Sequence, residues 1–132
     1  MTPAPAPRPV HTALRVLIAD DRPRTRRALR ALLAAHGGFE VVGEAADGEE
    51  ALALVEVLRP DLVLLDVWMP RLDGIAAAAA IKARWPSIRV VVHSLATERR
   101  DEALAAGADV FVAKGGRPDE LLGALRAATP AP

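Results

Sequence analysis

The chain has 132 residues, of which 52% are apolar and only 3% aromatic, with 17 basic side chains balanced by 17 acidic ones. That length suits one domain with a single core of Ala, Val, Leu and Ile, and the balanced charge lacks the basic surplus of a domain that grips nucleic acid directly. The absence of cysteine excludes disulfides, thiolate catalysis and cysteine zinc sites.

Residues 1–9 are rich in Pro and Ala and read as an extended, disordered tail that continues to about residue 12; residues 129–132 read as a second tail or the start of a linker. No apolar run approaches the roughly 18 residues of a membrane span. No basic start followed by an apolar stretch marks a signal peptide. A soluble cytoplasmic protein without membrane association is the expectation.

Between the tails, strand and helix patterns alternate, which predicts a parallel sheet with helices on both faces. The first strand is residues 15–19. Pro23 opens a helix that runs to His36, because a proline's missing N–H is harmless in the first turn. Ala28, Leu29, Leu32 and Leu33 give it an apolar stripe, and Gly37-Gly38 stops it. The second strand covers about 40–45, and Asp47-Gly48 turns the chain into a helix that Pro60 ends.

The third strand, 61–65, is apolar on both faces, as a central parallel strand must be. A loop over 67–73 leads to an alanine-rich helix ending near Trp85-Pro86; Asp73 reads as a turn or N-cap acid before Gly74. The fourth strand is 89–93, a short helix covers about 98–106, and the fifth strand is 109–113. The last helix starts near Pro118 and carries Leu121, Leu122 and Leu125.

The chemistry-bearing side chains fall at strand ends. Asp20 and Asp21 follow the first strand, Asp66 the third, Ser94 the fourth and Lys114 the fifth. In an open parallel sheet, sites form at the carboxyl ends of the strands, where strand order reverses. Carboxylates gathered there repel one another and need a cation or a proton. Mg²⁺, held by one or two carboxylates and a phosphate, meets that need. A carboxylate can also accept a phosphoryl group, provided a metal and a fixed cation hold the incoming oxygens. Lys114 can supply the cation and Ser94 a hydroxyl.

The motifs Leu17-Ile18-Ala19-Asp20-Asp21, Val41-Val42-Gly43-Glu44-Ala45-Ala46-Asp47-Gly48, Leu64-Leu65-Asp66-Val67-Trp68-Met69-Pro70-Arg71-Leu72-Asp73-Gly74 and Ala105-Ala106-Gly107-Ala108-Asp109-Val110-Phe111-Val112-Ala113-Lys114 occur in this order. Together they resemble the receiver domain of two-component response regulators, over residues 13–128. The second motif and the Lys114-Gly115 step look most like regulators of the NarL/FixJ type that carry a C-terminal LuxR-type helix-turn-helix. The resemblance implies a flavodoxin-like α/β fold with five parallel strands in the order 2-1-3-4-5 and five flanking helices. It implies that Asp66 accepts a phosphoryl group from a sensor histidine kinase. Asp20, Asp21, Asp66 and the backbone carbonyl of Trp68 would bind Mg²⁺. Lys114 would pair with the phosphate, Ser94 would turn toward it, and Phe111 would change rotamer, shifting the output surface. That surface would be helix four, strand five and helix five, used for homodimerisation or for contact with a C-terminal LuxR-type DNA-binding domain. The domain would catalyse only its own phosphorylation and dephosphorylation.

Three alternatives stand beside this reading. A phosphorylation-independent receiver-like interaction module would not require the full set of site residues. A haloacid-dehalogenase-type phosphatase would want a second aspartate at the position of Trp68. A flavodoxin-like FMN carrier fits less well, since Asp20-Asp21-Arg22-Pro23 would repel a phosphate in the absence of a metal. His93 reads as a partly buried strand-end residue. Arg22, Arg24, Arg26 and Arg27 read as a solvated helix face, with Arg22 near the site. The chain also departs from the receiver pattern: the stretch from Ser94 to Gly107 is short, Leu95 is bulky beside the pocket, Trp68 is placed to hinder water, and Gly115 replaces the usual proline, so no cis peptide is expected there.

Overall fold

The computed structural model describes residues 13–127; both predicted tails, and residue 128 of the expected domain, lie outside them. The strands are β1 (Leu14–Ala19), β2 (Phe39–Ala45), β3 (Leu62–Leu65), β4 (Arg89–Ser94) and β5 (Val110–Ala113). The helices are α1 (Pro23–His36), α2 (Gly48–Leu58), α3 (Gly74–Arg84), α4 (Arg100–Ala105) and α5 (Pro118–Ala127), with a single 3₁₀ turn, Thr97–Arg99, before α4. All strand pairs are parallel, in the order β2-β1-β3-β4-β5. Fold class and strand order are those expected from the sequence.

Alternate residues of each strand feed two separate cores, as the twofold side-chain period of a strand requires. Leu17, Ala19, Val63, Leu65, Val90, Val92 and Phe111 pack with residues of α2, α3 and α4. Val16, Ile18, Leu62, Leu64, Val91 and Val112 pack on the other face with Leu29 and Leu33 of α1 and Leu121, Leu122 and Leu125 of α5. Burying so many branched side chains, each contributing about 1.5–3 kcal/mol, compensates for the shortage of aromatics.

Local signals set most helix boundaries. The Asp47 carboxylate accepts the Glu50 N–H at 2.8 Å to start α2, and Asp73 accepts the Ala76 N–H at 2.8 Å to start α3. Helix α2 stops at Arg59, which takes a left-handed backbone conformation (φ 45°) before Pro60, because the residue before proline is disfavoured in the right-handed helical region. The predicted fourth helix divides: the chain makes the 3₁₀ turn and only then six residues of α-helix. With so few residues between Ser94 and Gly107, the first turn tightens to i→i+3 bonding.

Candidate functional site

Strand register brings the site together. Ala19 lies opposite Leu65, so Asp20 and Asp66 emerge side by side, and the Asp66 N–H donates to the Ala19 carbonyl at 2.9 Å. Ser94 lies opposite Ala113, and the Lys114 N–H donates to the Ser94 carbonyl at 2.9 Å. Four strand ends thus converge on one rim of the sheet.

Asp20 and Asp66 are buried, at 2% and 6% exposure, while Asp21 is open to solvent. A carboxylate oxygen from each of the three lies within 4.8 Å of the others. An all-oxygen donor set of this kind suits a hard divalent cation. The Lys114 ammonium donates to Asp20 at 2.8 Å and to Asp66 at 2.9 Å. Burial alone would lower its pKa, but these two hydrogen bonds and the charges behind them raise it above the usual lysine value. Lys114 therefore stays an ammonium and neutralises much of the acidic pair. The Asp66 carboxylate also accepts the Val67 N–H at 2.7 Å, which fixes its orientation.

Ser94 is fully buried, and its hydroxyl oxygen accepts the Ala96 N–H at 3.1 Å. Phe111 is buried in the core beneath α4. Trp68 is 54% exposed and Leu95 62% exposed. Both border a recess of about 60 Å³, shared with Asp21, Arg22, Asp66 and Lys114. Leu95 stands at the rim of the recess, with its side chain mostly in solvent.

Arg26 departs from the expectation of a solvated helix face. Its guanidinium donates to the Asp20 carbonyl at 2.6 Å and pairs with Glu44 at 3.2 Å, so it braces the acid-bearing loop from behind. Arg22 does border the recess, as expected. Sequence reading also missed Arg99, which stacks over the Trp68 ring at 5.3 Å from its centroid while forking onto Glu102. A stack between residues so far apart in sequence leaves no local signal. His93 is partly buried beside the site. Burial, and then the Lys114 charge, lower its pKa from 6.5 to about 4, so the imidazole is neutral at physiological pH.

The fold and the rim define a class: a doubly wound α/β domain with a buried acid pair, a lysine bridge and an exposed acid at the sheet's carboxyl edge. A family model described as the response regulator receiver domain matches residues 16–126. The chain belongs to this family, the phosphorylation-dependent signalling module of two-component systems. It is 38% identical over 117 residues to the transcriptional regulatory protein YxjL of Bacillus subtilis, an alignment covering 87% of this chain and 54% of that one. Among solved structures it resembles the receiver domain of the response regulator NarL from Mycobacterium tuberculosis (TM-score 0.82, 36% identity, covering 88% of this chain and 96% of that one). It also resembles a chain of the CheX–CheY–BeF3–Mg+2 complex from Borrelia burgdorferi (TM-score 0.81, 30% identity, covering 86% and 87%). The chain spans about half the length of the transcriptional regulators it matches. Among the described residues, no helix is long and apolar enough to cross a membrane.

Proposed function

We propose that residues 13–128 act as a phosphorylation switch whose acceptor is Asp66 and whose donor is a sensor histidine kinase. The observation that carries this reading is the Lys114 bridge to the buried pair of Asp20 and Asp66. An Asp66 oxygen attacks the phosphorus of a phosphohistidine, the P–N bond breaks, and the imidazole leaves with its electron pair and takes up a proton. Lys114 exchanges its bond to the Asp66 oxygen for one to a phosphoryl oxygen. Asp20, Asp21, Asp66 and the Trp68 carbonyl would hold Mg²⁺, which when bound would neutralise charge on the phosphoryl oxygens; the similar CheY complex contains Mg+2.

Ser94 turns its hydroxyl from the Ala96 N–H toward the phosphoryl group. Phe111 moves into the space vacated behind it. The new charge, close to two negative units, thereby reaches the surface of α4, β5 and α5. That surface serves homodimerisation or a C-terminal LuxR-type DNA-binding domain, as in regulators of the NarL type. The domain itself does not contact nucleic acid, works in the cytoplasm, and catalyses only its own phosphoryl transfer and dephosphorylation.

The test is incubation with acetyl phosphate and Mg²⁺, followed by intact-mass measurement. The chain should gain one phosphoryl group, and Asp66→Asn should gain none. A gain that persists in Asp66→Asn moves the acceptor elsewhere; no gain in the parent protein favours a phosphorylation-independent interaction module.

A further inference from the structure

A second cleft, of about 480 Å³, opens at the other pole of the sheet, lined by Arg59, Pro60, Arg84, Trp85, Pro86 and Ser87 among others. These residues immediately precede β3 and β4, so the cleft lies at the amino ends of the strands and is remote from Asp66. Its floor is Trp85, which is only 9% exposed. Two guanidinium groups stack on this indole, with carbons 4.4 Å (Arg84) and 5.3 Å (Arg59) from the ring centroid. Like charges sharing one ring repel unless something holds them.

Here several contacts do. Arg59 sits in the left-handed backbone region, its carbonyl accepts from Arg15 at 2.8 Å, and its Nε donates to the Glu56 carbonyl at 2.9 Å. Arg84 reaches the Glu56 carboxylate only at 3.6 Å, a weak pairing. Among the described residues, the terminal nitrogens of Arg59 have no hydrogen-bond partner within the protein. Asp61 also lines the cleft, and one oxygen of its carboxylate accepts the Arg15 N–H at 2.9 Å. The result is two planar donors with spare N–H groups over Trp85, in a cleft that Pro60 and Pro86 also line. Planar guanidinium forks match phosphate and carboxylate oxygens, and flat rings stack on prolines and indoles.

We infer that this cleft binds a small phosphate ester with a flat ring, its oxyanion between Arg59 and Arg84 and its ring against the proline-lined wall. The site is independent of phosphorylation at Asp66.

The test is a magnesium-free ¹H–¹⁵N NMR titration of the full chain with inorganic phosphate and, separately, with adenosine monophosphate. Saturable shifts are expected at the Trp85 indole N–H and the Ser87 and Ile88 amides, with the nucleotide binding more tightly than phosphate. Arg84→Gln, at an exposed position, should weaken both by about tenfold or more, and Arg59→Gln should do the same. Unchanged spectra elsewhere establish that each variant is folded. Shifts that fail to saturate, shifts confined to the Asp66 pocket, or undiminished binding by Arg84→Gln overturn the inference. Equal affinity for phosphate and nucleotide overturns the ring-binding half of it.

Discussion

The Lys114 ammonium lies 2.9 Å from the Asp66 carboxylate across 48 residues of sequence, and the same nitrogen holds Asp20 at 2.8 Å. One lysine thus makes tolerable a pair of buried acids that strand register forces together. A divalent cation in the acid cluster would share that task, so the two neutralising agents are partly interchangeable. Lys114→Ala should destabilise the metal-free protein by about 3 kcal/mol, the low end for breaking a buried pair because the recess opens to water. Added Mg²⁺ should restore part of the loss. Thermal unfolding of parent and variant, with and without Mg²⁺, measures both effects; a variant that Mg²⁺ does not stabilise more than the parent contradicts the shared role.

His93 should make the fold acid-sensitive. Its pKa is about 4 in the folded chain, against 6.5 for the ordinary imidazole, and its Nδ1 is buried without a partner. Below pH 6.5 the unfolded chain binds a proton that the folded chain refuses, so this group opposes folding increasingly down to about pH 4. Above pH 6.5 it contributes nothing to the pH dependence. His93→Gln, which cannot titrate, should lose less stability than the parent between pH 7 and pH 4 in urea unfolding. Parallel losses in the two proteins would show that His93 is not the responsible group.

Gly74 leaves no room for a side chain. A Cβ there would collide with the Asp66 backbone carbonyl, which cannot move without displacing the acid. Gly74→Ala should therefore destabilise by about 1–3 kcal/mol, the range for overpacking, and slow phosphorylation as well. Denaturant midpoints and the rate of mass gain with acetyl phosphate check the two effects together.

Trp68 and Arg99 form a stacked cover beside the recess. If the indole hinders the approach of water to Asp66, as expected from its place in the sequence, Arg99, held by Glu102, would steady it there. Trp68→Ala should speed loss of the phosphoryl group several-fold, and Arg99→Ala should do so to a smaller degree. Decay of the phosphorylated form, followed by intact mass after removal of the donor, measures both; unchanged decay in Trp68→Ala removes the indole from this role.

Much of this molecule is written locally. Short apolar runs ending in Asp20, Asp66, Ser94 and Lys114 specify which side chains stand at strand ends, and Asp47 and Asp73 specify where helices begin, because strand and capping signals act over a few residues. The acid cluster was legible for that reason. Other features arise only when distant segments meet. Arg26 turned out to brace Asp20 and Glu44, Arg99 found Trp68, and Arg59 and Arg84 converged on Trp85. The division of the fourth helix also depended on fitting a short segment between β4 and the packed Ala103. Residue type and order determined the elements and the charges at their ends; packing decided which long arginine and lysine side chains reach which partners, since a flexible side chain has many rotamers and only the assembled surroundings select one.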